Sequence, residues 1–302
     1  MKTLTQEDLD STVQLTNMYV RLHNRRRPQH RLREFPKKAR IVHLVKKAEV
    51  EDRIKTKVDG SAIVLSDQTG RTYFIEENIP EEFELIRGSL GESFRSSPPV
   101  NDMYTLSLCL MLMHENLHRS CKQVRLPPYI ADYYRDVTLD LFDLKGTAKK
   151  VVRDTSSKVI CTGLRIRYLD PTGINVTLIY SMDEFFTHLV TSEILGEMLS
   201  QNGNFRSHAQ AQSTLLLPGL YKVRDASLEE IGNAVRVLQD RQNYDRLLRD
   251  YLSGNVPRRL AKLLTVNGEF DKTSVDGLVY HVMGKINVLP DLVNILYHTE
   301  KK

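Results

Sequence analysis

Apolar positions recur at helical spacing over residues 5–24, with Leu9, Val13 and Val20 on one stripe and Leu15, Met18 and Leu22 on its neighbour. Thr5 followed by Asp8 approximates a capping box at the start of this helix. Three strand-like stretches follow: ARIVHLVKK (39–47), SAIVLSD (61–67) and RTYFIEE (71–77). The last two flank Gln68-Thr69-Gly70, which predicts a hairpin. Paired Pro98 and Pro99 interrupt the chain before an apolar helix at about 101–120, and Pro127 and Pro128 interrupt it again before a short helix or strand over Tyr129–Leu144. A second hairpin is marked at 158–181, where LRIRYL and INVTLIY flank Asp170-Pro171-Thr172-Gly173. There Pro presets one turn angle and Gly accepts a positive φ.

Residues 183–200 read as an amphipathic helix carrying Phe185, Phe186, Leu189, Ile194, Leu195, Met198 and Leu199. The polar stretch QNGNFRSHAQAQST (201–214) reads as a linker or mobile loop. Beyond it the pattern is helical. Ser227 and Glu230 form a capping box for a helix that stops at Gly254, and Pro257 suits the first turn of another that ends near Asn267-Gly268. Shorter helices are predicted at 273–285 and 290–299. The fold class expected is α+β: a mixed body with two β-hairpins and packed helices, followed by a C-terminal helical bundle. The expected division is an N-terminal helix and basic arm (1–48), an α+β core (49–214) and a C-terminal helical domain (215–302).

At 302 residues the chain is long enough for about two domains, and 41% hydrophobic with 27% charged residues excludes a disordered chain. No apolar run approaches the roughly 18 residues of a membrane span, and MKTLTQEDLD lacks the apolar core of a secretory signal. Cys109, Cys121 and Cys161 are too few and too odd in number for a disulfide scaffold. These features predict an intracellular protein, cytoplasmic or nuclear or carried within a virion, with no membrane span.

Charge changes the picture most. The chain totals +5, yet Arg21–Lys47 alone carries +10: Arg21, Arg25, Arg26, Arg27, Arg31, Arg33, Lys37, Lys38, Arg40, Lys46 and Lys47 against the single acid Glu34. The rest of the chain is therefore slightly acidic. Pro28 and Pro36 prevent one continuous helix, so the segment reads as an extended arm delivered by the first helix. Each Lys or Arg placed on a phosphate releases a counterion, and Arg adds a planar fork. RNA or DNA backbone is the partner this predicts. Arg165 and Arg167 alternate with Leu164, Ile166 and Tyr168 and extend the basic surface if their strand face is exposed. Contact with a protein or an anionic lipid surface is the second reading, the helix and arm equally suiting docking on a second copy, and solvated or self-neutralised charge is the third.

One chemical motif stands out. His114-Glu115-Asn116-Leu117-His118 lies in the apolar helix, and His-Glu-x-x-His on a helix places two imidazoles on one face with the Glu as general base. Over these five residues the chain resembles the zinc metallopeptidases. The resemblance implies zinc on His114 and His118, Glu115 as base, and a third ligand from Glu184, Glu193 or Glu197. The metzincin continuation is absent, since the chain reads Arg119-Ser120-Cys121-Lys122-Gln123-Val124. Cys109 and Cys121 flank the pair and offer a structural-metal alternative whose spacing matches no standard finger. The residues favour a core helix whose polar end emerges at His114, with no cofactor. No P-loop, dinucleotide fingerprint or nucleophile elbow is present. The expected function is a non-enzymatic nucleic-acid-binding and assembly protein, such as a nucleoprotein, virion or ribonucleoprotein component. A purely structural assembly subunit and a zinc metallopeptidase are the alternatives.

Overall fold

The structure, a computed structural model, describes residues 4–36, 41–54, 64–66, 71–141, 144–172, 175–178, 180–220, 232, 235–236, 240–263, 265–266, 269–270, 292–293 and 296–297. In chain order the first elements are α1 (Gln6–Arg26), β1 (Val42–Val45), α2 (Lys47–Ile54), β2 (Val64–Ser66), β3 (Thr72–Ile75), α3 (Ile79–Leu90) and α4 (Met103–Ser120). There follow β4 (Gln123–Arg125), α5 (Pro128–Leu141), α6 (Gly146–Arg153), β5 (Lys158–Thr162), β6 (Arg165–Leu169) and β7 (Asn175–Leu178). The remainder comprises α7 (Tyr180–Gln201), α8 (His208–Leu220), α9 (Arg241–Ser253), α10 (Val256–Leu263), β8 (Thr265–Val266) and β9 (Glu269–Phe270). Among the described residues helices predominate over short strands, and the fold is mixed α+β.

Contacts divide the chain into two compact units, residues 1–120 with 187–222 and residues 121–186 with 223–302. Each unit is assembled from two separated stretches, whereas the division expected from the sequence runs consecutively. Among the described residues no helix is long and apolar enough to cross a membrane.

In the first unit, α1 begins with a complete capping box: the Asp8 N–H donates to the Thr5 hydroxyl oxygen at 3.2 Å and the Thr5 N–H to the Asp8 carboxylate at 3.1 Å. Its buried residues are Leu9, Thr12, Thr16, Asn17, Tyr19, Val20 and His23, while Val13, Leu15, Met18 and Leu22 are only half-buried. The buried face is therefore rotated toward polar positions. Thr12 and Thr16 satisfy their hydroxyls on the helix's own carbonyls, Asp8 O at 2.7 Å and Thr12 O at 2.8 Å. The sheet runs β1-β3-β2, with β1 parallel and β2 antiparallel to β3. The β2–β3 hairpin matches the sequence expectation, and its turn residues lie outside the described residues. Helix α4 starts where Asp102 accepts from the Thr105 N–H at 2.7 Å and buries twelve of its eighteen residues. The polar stretch 201–214 is a tight turn leading into α8. Asn204, fully buried, donates to the carbonyls of Arg95, Ser97 and Val100 at 2.9–3.0 Å, and Phe205 is buried beside it.

The second unit holds an antiparallel sheet in the order β4-β5-β6-β7. Val159, Cys161, Ile166 and Tyr168 are its buried face. The sequence pattern opens the second hairpin at residue 158 but marks no strand before Leu164, whereas Lys158–Thr162 is a strand of its own. In the structure β5 and β6 are joined by the two-residue turn Gly163-Leu164, where Gly163 takes φ +62°. Helix α9 ends at Gly254 with φ +68°, and Pro257 lies in the first turn of α10, as the sequence predicts. Leu292, Val293, Leu296 and Tyr297 are helical and buried, while the predicted helix at 273–285 lies outside the described residues. Most of 227–239 also lies outside them.

Candidate functional site

The basic segment of the first unit is folded back on α1 as a strap. After a short 3-10 turn at Pro28–His30 the chain runs extended, and His30, Leu32 and Phe35 point inward while Arg31 and Arg33 point out. Two carboxamides on α1 hold it. Asn17 donates to Phe35 O at 2.9 Å and accepts from Phe35 N at 2.7 Å. Asn24 does the same for Leu32 at 2.9 Å and 2.8 Å. Each side chain acts as one rung of a β-ladder, and the seven-residue interval puts both on one face of the helix. Gln6 repeats the device at the start of α1, donating to Val42 O and accepting from Leu44 N on β1, both at 3.0 Å.

The strap's base is tied down by charge. Arg26 meets Glu197 at 3.2 Å and donates to Gln201 at 2.6 Å, Arg27 approaches Glu193 and Glu197 at 4.0 and 3.8 Å, and Arg21 pairs with Glu34 at 3.0 Å. Three of the eleven predicted contacts are thus occupied by the chain's own carboxylates. Lys47 is half-buried and its backbone N–H bonds Glu77 at 3.1 Å. Lys37, Lys38 and Arg40 lie outside the described residues. Arg25, Arg31, Arg33 and Lys46 are exposed, and no acidic side chain among the described residues pairs with them.

Arg119, which sequence reasoning missed, joins this row from the end of α4. Its guanidinium lies 4.6 Å from the centre of the Phe35 ring. Burial first, and then the neighbouring Arg33, lower its pKa, with Glu115 opposing. Its Nη1 has no hydrogen-bond partner among the described residues. Next to it the backbone N–H of Arg33 donates to Ser120 Oγ at 2.9 Å. The result is a group of guanidinium groups on a backbone that is itself fixed, with positive charge crowded around Arg33 and Arg119.

His23 makes the strap acid-sensitive. It is buried, its Nε2 lies 3.1 Å from His30 O, and burial depresses its pKa from 6.5 to about 4. Between those values the unfolded chain binds a proton that the folded chain refuses, so stability falls as pH drops through that window and levels off below about 4. The loss expected is at most about 3 kcal/mol at roughly 1.4 kcal/mol per pH unit. Denaturant titrations at successive pH values test it, and His23→Gln is expected to flatten the profile.

In the second unit Arg165 is taken up internally. Its Nε lies 2.5 Å from Asp183, which is buried, and its other end pairs with Glu184. Arg165 therefore holds the start of α7 against the β5–β6 turn rather than extending a basic face. Arg167 is half-buried in register with Ile160 and, one strand further, Arg125, which is exposed. Burial and then Arg165 lower the pKa of Arg167.

Histidines form a second grouping in the first unit. His114 and His118 bring their Nε2 atoms to 3.0 Å, and the ring of His188 on α7 lies 4.2 Å from that of His114 with planes 42° apart. Of the third ligands the metallopeptidase resemblance implies, Glu193 and Glu197 are engaged by Arg26 and Arg27, and Glu193 also meets His208 at 3.2 Å and Gln212 at 2.7 Å. Glu184 belongs to the second unit, where it pairs with Arg165. All three cysteines are buried free thiols, and burial pushes Cys109 up to about 12. Among the described residues no cysteine belongs to a group of metal donors. His188 was missed by sequence reasoning, although a histidine inside FFTHLV is itself a signal.

Comparison of the chain with protein-family models, with curated proteins and with solved structures finds no match.

Proposed function

We propose that this chain is a non-enzymatic nucleic-acid-binding and assembly protein that contacts the phosphate backbone through its N-terminal strap. The observation that carries the reading is the strap itself: Arg25, Arg31 and Arg33 are exposed and lack acidic partners among the described residues, on a backbone pinned by Asn17 and Asn24. A fixed guanidinium row binds phosphate with less ordering cost than a free arm. Arg31 and Arg33, two extended residues apart, are spaced about 6–7 Å along the strap. Arg119 supplies a half-buried guanidinium beside Arg33. Such contacts read no base edges, so binding is without strong sequence preference. A nucleoprotein, virion or ribonucleoprotein component is the kind of protein this describes.

The test is a salt titration of binding to a fluorescent single-stranded oligonucleotide. Affinity is expected to fall steeply with salt, and the triple variant Arg25→Gln, Arg31→Gln, Arg33→Gln to reduce the slope of log K against log salt by about 2, at roughly 0.7 per lost contact on a single strand. Absent binding, or binding that ignores salt, rejects the reading.

A further inference from the structure

We propose that His114 and His118 form a binding site for a divalent transition metal of the zinc type, held through their Nε2 atoms, with His188 as the residue that positions His114. The site does not depend on the nucleic-acid reading, and either stands if the other fails. The four-residue interval on α4 puts both imidazoles on one helix face, and their Nε2 atoms already converge to 3.0 Å. A tetrahedral zinc ion at about 2.0–2.1 Å from each nitrogen requires them about 3.3–3.4 Å apart. Side-chain rotation of a few tenths of an ångström opens the pair to that span, with no movement of the helix.

The surroundings suit the role. Leu108 to Met113, the turns that precede the pair, are all buried, so the backbone presenting the two rings is fixed. His114 is itself buried and His118 only half-buried, so the pair is rooted in the interior and reached from its His118 side. His188, also buried, packs its ring on that of His114 and limits its rotation. Neutral imidazole nitrogens are good ligands for zinc and its neighbours in the first transition row. Two protein nitrogens leave coordination positions to water or to a bound molecule, so the site is an open one.

The experiment uses the full-length chain without a histidine tag, stripped with chelator and titrated with Zn²⁺ by calorimetry and with Co²⁺ by visible absorption. One equivalent is expected to bind, with d–d bands of a low-symmetry cobalt site. His118→Ala, at the half-buried position, is expected to weaken binding at least 10-fold, and His188→Ala to weaken it by a smaller factor at unchanged stoichiometry. His208→Ala, at the contact with Glu193, is expected to leave affinity unchanged. No saturable binding to the wild-type chain overturns the proposal, as does equal affinity in His118→Ala. The wild-type titration alone decides the case if a variant fails to fold.

Discussion

Gly163→Val is expected to cost the second unit about 4 kcal/mol or more, enough to abolish its cooperative folding. Gly163 is the first residue of a two-residue turn and sits at φ +62°, where a β-branched residue costs about 1–2 kcal/mol. Space is the larger problem. A Cβ built there lies 2.5 Å from Asp183 Oδ1 and 2.6 Å from Tyr251 Cε2. Neither neighbour gives way freely. Tyr251 is fully buried, and Asp183 accepts from the Leu164 N–H at 2.8 Å while also facing Arg165. Overpacking of this kind costs about 1–3 kcal/mol, and withdrawing Asp183 leaves a buried N–H without its acceptor for a further 1–3 kcal/mol. Gly163→Ala keeps the φ and contact penalties and drops only the branched methyls, so an intermediate loss is expected. Urea titrations followed by hydrogen exchange over β5 and β6 measure both. A loss below 1 kcal/mol for the valine variant contradicts the geometry.

How far the sequence reveals the molecule depends on the range of the forces involved. The hairpins at β2–β3 and β6–β7 were legible because alternation and turn residues are local. The Gly163-Leu164 turn was not, since nothing in Thr-Gly-Leu-Arg separates it from a strand interior before its pairing is known. Likewise the parallel seat of β1 beside β3 is a pairing of Val42 with Thr72, which no local pattern states. Positive charge in the strap was plain, but its partners Glu193 and Glu197 lie on a helix more than 160 residues away. Asn204 shows the same limit in a polar stretch. Its side chain suggests a solvated linker, whereas its hydrogen bonds to three distant carbonyls hold it in the interior. Asn17 and Asn24, seven residues apart on α1, were an unread local signal, as was His188: carboxamides on a single helix face are suited to pair with a passing backbone.

Removing both, in Asn17→Ala with Asn24→Ala, is expected to release the strap. Each alanine leaves a backbone N–H and C=O without partners beside buried side chains, Phe35 and Leu32, at about 1–3 kcal/mol per group. The penalty is limited because a peeled strap recovers those bonds from water. What is then lost is the burial of Phe35 and Leu32, about 3–5 kcal/mol together. Amide exchange at Leu32 and Phe35 is expected to rise toward free-chain rates, and trypsin to cut after Arg31 and Arg33 where the wild-type chain resists. The charge of the strap is untouched, so nucleic-acid binding separates two ways in which eleven basic residues can act. If the fixed row matters, affinity falls by roughly 10-fold, one to two ordered side chains' worth of entropy at 1.4 kcal/mol per decade, while the salt slope stays as it was. If charge alone suffices, affinity and slope both remain unchanged when the clamps are removed, and the preorganised strap is not the binding element.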